Sequence, residues 1–211
     1  MHVTVIAKAP VPGQAKTRLS PPCTPEQAAE VAAAALADTL AAVDDVARVT
    51  VARRVLLLDG DRQSWMSTAF EVVAQRGTGL EQRLCNGFVD LGPGVIIGME
   101  TPHVAAALTS AVAAARRGVD SIGLATDGGY WMIGLSAASA AIANELFDGI
   151  PMSSTHTGLA QLRRLQAHGR QVQLLPMARD LDTFDDLRAV AESGRTGSLA
   201  AVAARVVAGI R

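Results

Sequence analysis

Short apolar runs alternating with longer helical patterns predict an α/β fold, a three-layer α/β/α sandwich on a mostly parallel, Rossmann-like sheet. Two observations carry this expectation. The runs at residues 3–7, 55–58 and 94–98 contain almost no polar side chain, as strands covered on both faces require. The segments between them open with capping residues and repeat their apolar positions at helical spacing. A length of 211 residues fits one ordinary domain, so the whole chain, 1–211, is read as a single domain.

The first strand is expected at 3–7. After a loop, Thr24-Pro25-Glu26-Gln27 supplies a capping threonine, a proline in the first turn and a glutamine able to reach back to the cap. Ala29, Ala32, Ala33, Leu36, Leu40 and Val43 then mark one face of a helix. Strands follow at 55–58 and 70–74, a turn at Gly77-Thr78-Gly79, a helix over 80–91 and a strand over 94–98. Thr101-Pro102 opens the next helix and Gly118 closes it. Residues 121–125 and 130–135 flank Asp127-Gly128-Gly129, the chemistry of a hairpin turn. Helices at 137–147 and 157–168, a strand at 172–175, a helix from about Thr183 and a terminal helix over 198–210 complete the chain.

The formal charge of −1 and a pI near 6.4 provide no basic field for nucleic acid or anionic membrane, so neither is an expected partner. Cys23 and Cys85 lack the spacing of a zinc site or redox pair. The first residues do not have the order of a secretion signal, and no apolar run approaches the roughly 20 residues of a membrane helix. A cytoplasmic protein without a membrane span is expected. Arginine outnumbers lysine 17 to 2, and both lysines, Lys8 and Lys16, lie in or beside the loop after the first strand.

That loop, 9–19, reads Ala-Pro-Val-Pro-Gly-Gln-Ala-Lys-Thr-Arg-Leu. Strand-to-helix loops at the carboxyl edge of such sheets bind ligands. Gly13 permits close backbone approach, while Lys16 as a point charge and Arg18 as a planar fork suit phosphate oxygens. The Walker pattern is absent. Glu100, leaving the 94–98 strand, has the oxygen chemistry for Mg2+ or Mn2+, although an acid before a helix also gains from the helix dipole. Asp180 and Asp182 alternate in extended chain, so either can supply a second metal carboxylate, while Asp182 or Thr183 can cap the following helix. Thr126-Asp127-Gly128-Gly129-Tyr130-Trp131 combines an acid, small residues and aromatics, an arrangement for an acceptor pocket or for a tight turn with core aromatics.

Taken in order, Ala-Pro-x-Pro-Gly-x-x-Lys-Thr-Arg-Leu, Gly-x-Gly-Leu-x-x-Arg-Leu, the strand ending in acid-Thr-Pro, Asp-Gly-Gly-Tyr-Trp-x-Ile-Gly-Leu, Ser-Thr-x-Thr-Gly and Asp-Leu-Asp-Thr-x-x-Asp-Leu resemble bacterial glycosyltransferase-A-like proteins. These belong to the nucleotide-diphospho-sugar transferase superfamily and are relatives of the 2-phospho-L-lactate guanylyltransferase of deazaflavin-cofactor synthesis. The resemblance spans most of residues 3–190. It implies the nucleotide-diphospho-sugar transferase fold, with Gly13, Lys16 and Arg18 on the phosphates; Ala7 and Pro12 are further nucleotide-binding candidates. It also implies the Gly77–Arg83 segment near the base and Asp182 on Mg2+ or Mn2+; Gln75, Gly79 and Arg83 are the nucleotide-binding candidates there, Glu100 is the second metal candidate, and Asp127, Gly128, Gly129, Tyr130 and Thr155 are the acceptor-pocket candidates. Lys16, Arg18 and Asp127 are the catalytic candidates. Two positions depart from the pattern: Glu100 stands where aspartate is usual, and Met152 where a tryptophan is frequent before the Ser-Thr motif.

The leading expectation is a metal-dependent transferase acting on a sugar nucleotide, with a small-molecule acceptor. Nucleotidyl transfer from a nucleoside triphosphate to a phosphorylated acceptor is the alternative. A nucleotide-binding protein without catalysis is a third reading, suggested by Glu100.

Overall fold

The structure is a computed structural model describing residues 1–211 other than 102, 104 and 211, with backbone alone at 105 and 106. The described residues form seven strands, β1 (His2–Lys8), β2 (Arg53–Asp59), β3 (Glu71–Ala74), β4 (Gly94–Gly98), β5 (Asp120–Ala125), β6 (Tyr130–Leu135) and β7 (Val172–Ala178). They form one sheet in the order β3-β2-β1-β4-β6-β5-β7. Only β6 runs against the others: it is antiparallel to both β4 and β5, while β1–β2, β1–β4, β2–β3 and β5–β7 are parallel. The expected fold class is therefore the observed one. The carboxyl ends of six strands share one edge, and the turn that reverses the chain into β6 lies there as well.

Helices cover both faces. α1 (Pro25–Thr50) and α3 (Ala105–Arg116) pack on one face, over a core that includes Val5, Leu36, Val95 and Leu108. α2 (Leu80–Leu91), α5 (Ala143–Phe147) and α6 (Thr157–Ala167) cover the other face, where Phe88 and Phe147 stack at 5.9 Å. α7 (Phe184–Glu192) and α8 (Ser198–Gly209) pack against each other, and α8 against α1, enclosing a third apolar cluster around Leu19 and Leu187.

Local signals set most element boundaries. Thr24 caps α1 by accepting from the Gln27 N–H, and Gln27 returns the bond to the Thr24 N–H at 2.8 Å. Thr24→Ala is expected to lower stability by about 1 kcal/mol, read as a shift in urea midpoint with unchanged slope. Thr183 and Asp186 form the same reciprocal cap on α7. Gly118 closes α3, its N–H on the Ala115 carbonyl at 3.2 Å. The expected opening of α3 at Thr101-Pro102 falls on residue 102, outside the described residues.

One expected element is corrected. The helix over 137–147 is two short helices, α4 (Ala137–Ala140) and α5, because the chain changes direction at Ile142 (φ −118°, ψ 27°). α4 is held by the buried Asp120, which accepts from the Ser136 N–H at 2.8 Å and the Ser139 hydroxyl at 2.6 Å. The buried cysteines are free thiols, and burial pushes both up. Among the described residues, no helix is long and apolar enough to cross a membrane.

Candidate functional site

The loop after β1 is shaped by its own backbone. The Ala9 N–H bonds the Asp59 carbonyl at 2.8 Å, and the Gln14 and Ala15 N–H groups return to Val11 at 3.0 and 3.1 Å. Gly13 has φ +74°, a left-handed turn position that suits glycine. Beyond the turn, Leu19 is fully buried against α1, α7 and α8. That anchor brings the β7–α7 connection, with Asp180 and Asp182, beside Lys16.

The result is a charged cluster at the carboxyl edge. The Lys16 ammonium pairs with Glu100, lies 3.3 Å from Asp182 Oδ1 and donates to the Leu181 carbonyl. Arg18 Nη1 reaches the other Asp182 oxygen at 3.1 Å. Lys16 itself has φ 50° and ψ 39°, a left-handed conformation uncommon outside glycine, asparagine and aspartate.

A cavity of about 480 Å³ opens beside this cluster, over the β1, β4 and β6 ends. Its apolar side includes Ile6, Leu84, Ile96 and Ile133, and its charged side includes Arg18, Glu100, Asp127, Asp180 and Asp182. A second hollow of about 490 Å³ adjoins Asp127, Asp180 and Asp182, with Arg18 and Arg179 also on its wall.

The carboxylates are crowded. Burial pushes Glu100 up, against the pull of Lys16, and Asp182 and Asp127 add to the rise. Asp180 is pushed up to about 7, by burial first and then by Glu100, Asp127 and Asp182. Its Oδ1 is buried without a hydrogen-bond partner among the described residues. This excess of oxygen donors is the chemistry of a hard divalent cation. Among the described residues, no three acidic, histidine or cysteine side chains close into a cage by themselves. Two carboxylates completed by phosphate oxygens and water are the arrangement Mg2+ commonly takes, and Glu100 and Asp182, converging on one nitrogen, fit it.

The remaining candidates divide. Ala7, Gln75, Arg83, Gly129, Tyr130 and Thr155 line the cavity; Pro12, Gly13, Lys16, Gly79 and Gly128 do not. Gln75 is committed internally: its amide nitrogen donates to the Ala7 and Leu57 carbonyls at 2.7 and 2.9 Å, and its oxygen accepts from Arg83 at 3.2 Å. Arg83 also pairs with Asp59 at 2.7 Å. Together they brace the cavity wall. Gly79 precedes α2, in the position of its cap.

The Asp127 turn is bonded internally, its Oδ1 accepting from the Gly129 N–H at 2.8 Å. Gly128 has φ +93°, and a Cβ there would strike the Thr155 carbonyl, so the hairpin tip lies directly on the loop before α6. The Gly158 N–H bonds the Gly128 carbonyl at 2.8 Å. Both aromatics line the cavity: Trp131 also belongs to the core, its indole N–H on the Pro176 carbonyl at 3.1 Å, while the Tyr130 hydroxyl is buried with no hydrogen-bond partner among the described residues. Burial pushes that hydroxyl up. Sequence reasoning missed the Leu181 carbonyl and the apolar wall, for which no local signal exists. Asp180 carried one in its alternation with Asp182.

Comparison with known proteins agrees with this architecture. The structure aligns with a protein from Desulfovibrio desulfuricans G20, provisionally named a nucleotide-diphospho-sugar transferase, at a TM-score of 0.86 and 24% identity, covering 100% of this chain and 98% of that one. Rv0371c from Mycobacterium tuberculosis H37Rv aligns at 0.51 and 20% identity, over 89% of this chain and 96% of that one. At these identities the likeness establishes the fold. No curated protein matches the chain. Residues 30–154 match the family described as "Uncharacterized protein conserved in bacteria (DUF2064)", and the chain belongs to that family.

Proposed function

We propose that the protein is a metal-dependent transferase acting, as one domain, on a nucleotide-diphospho-sugar. The observation that carries this reading is the pairing, at one sheet edge, of two phosphate-suited cations, Lys16 and Arg18, with two convergent carboxylates, Glu100 and Asp182. The likeness of fold to a protein named for that class supports it.

In this reading the diphosphate lies across the charged side of the cavity, with Arg18 neutralising the charge that grows on it as the glycosidic bond breaks. Glu100 and Asp182 would hold Mg2+ or Mn2+, whose charge stabilises the same leaving group. The sugar and a small-molecule acceptor occupy the side bounded by Gly129, Tyr130 and Thr155. Gly128 keeps that side narrow by letting the hairpin tip rest on Thr155. The Asp127 oxygen not bonded to Gly129 accepts the acceptor's hydroxyl proton.

Thermal unfolding with a panel of sugar nucleotides and nucleoside triphosphates, with and without Mg2+ or Mn2+, tests the reading. A sugar nucleotide at about 100 times its Kd is expected to stabilise by about 2.7 kcal/mol, and only with metal. Release of nucleoside diphosphate from the stabilising compound supports glycosyl transfer. Release of pyrophosphate from a triphosphate with a phosphorylated acceptor would replace this reading by nucleotidyl transfer. No stabilisation by any nucleotide would sink both.

A further inference from the structure

Lys16, the lysine expected on the phosphates, is engaged by oxygens of the protein itself. Lys16 is absent from the cavity wall, its side chain is 5% exposed, and its ammonium is held by Glu100, Asp182 and the Leu181 carbonyl. An ammonium has three N–H donors and no acceptor, so these three oxygens use its full capacity. Arg18, by contrast, is 69% exposed and lies on the cavity wall. The nitrogen therefore sits where the two carboxylates converge, which is where a divalent cation would sit. Lys16 also holds a left-handed backbone. For a residue with a Cβ it costs on the order of 1–2 kcal/mol, and such strain persists where surrounding structure over-determines it.

We propose that Lys16 is an internal counter-cation exchanged for the metal when nucleotide phosphates arrive. In the resting protein its positive charge neutralises Glu100 and Asp182. A divalent cation entering alone must expel an ammonium that has nowhere favourable to go. When a diphosphate enters with the cation, its oxygens receive the displaced ammonium while the carboxylates take the metal. Metal and phosphate then bind cooperatively, and by reciprocity each strengthens the other equally. The exchange favours arrival of the metal as its nucleotide complex. It rests on the metal and phosphate reading above and adds the order in which the site is charged.

Mn2+ alone, followed by the paramagnetic resonance of the free ion, reads the exchange in the wild-type protein, Lys16→Met and the double variant Lys16→Met/Asp182→Asn. Lys16→Met is expected to bind Mn2+ about tenfold more tightly than wild type, a coupling of the usual size. The double variant is expected to lose this binding. Thermal shifts with Mn2+, inorganic pyrophosphate and both together supply a readout that includes the unmutated protein. The stabilisation by both should exceed the sum of the separate effects in wild type, and by less in Lys16→Met. The Mn2+–pyrophosphate complex in solution is common to the two proteins and cancels. Equal or weaker Mn2+ binding by Lys16→Met, with binding still lost in the double variant, would overturn the exchange and leave the metal site standing. Absence of Mn2+ binding by either protein, with or without pyrophosphate, would remove the metal reading and the exchange with it.

Discussion

Asp182→Asn is expected to lower turnover of the donor by about 100-fold or more, the usual cost of losing one preorganised charged group at a transferring phosphate or oxyanion. Asp182 is the position through which the site's charges communicate. One oxygen faces Lys16 at 3.3 Å, the other Arg18 at 3.1 Å, and in the proposed reaction the carboxylate also holds the metal. Asparagine preserves shape and removes the charge. The folded state should be little affected, because the side chain is 32% exposed and the Asp182 N–H keeps its bond to Asp186 at 3.1 Å. The measurement is kcat for nucleotide release, with unfolding of the unliganded variant as control. Turnover within about threefold of wild type would remove Asp182 from the mechanism, since each 1.4 kcal/mol of lost transition-state stabilisation is tenfold.

Acid should weaken the fold through His2, by about 3 kcal/mol between pH 6.5 and 4. Burial lowers the His2 imidazole from 6.5 to about 4, overcoming the opposite pull of its bond to the Gly92 carbonyl. The ring is wholly buried, its Nε2 3.0 Å from Gly92 and its Nδ1 2.7 Å from the Thr4 hydroxyl. Above pH 6.5 both folded and unfolded chains carry a neutral ring, so stability is unchanged by it. Between 6.5 and 4 the unfolded chain takes up a proton that the folded chain refuses, and stability falls with pH. Glu100 and Asp180, raised in the fold, contribute in the opposite sense. They are common to wild type and His2→Gln, so the difference between the two curves isolates the imidazole. Free energies from urea unfolding at several pH values should converge towards pH 4 if wild type is the more stable at neutrality. Parallel curves would show that His2 titrates normally.

The same histidine marks what could not be read locally. At position 2, opening a strand of Val, Thr and Ile, nothing local distinguishes a core imidazole from a surface one; the close passage of Gly92 and Gly94, some ninety residues on, buries it. The two capping boxes and the hairpin glycines, by contrast, act over three or four residues, and their elements appear where the local chemistry places them. Residues 137–147 show where periodicity falls short. Their apolar spacing suits one helix, but the bend at Ile142 lets α5 pack against α2. Gln75 and Arg83 were legible as neighbours of the site. That Gln75 spends its amide on Ala7 and Leu57 depends on strands brought together by the sheet.

Amino-acid order alone determined the alternation of strands and helices, the charged loop after β1, and the acids at positions 100, 127, 180 and 182, because each is a property of neighbouring residues. Only the tertiary structure decided how those charges pair. Lys16 and Asp182 are separated by 166 positions, and their meeting depends on Leu19 being buried beneath α7 and α8. Burial then changes the chemistry. Lys16 reads in isolation as a solvated phosphate ligand; in the fold it satisfies two carboxylates and a carbonyl where water is largely excluded.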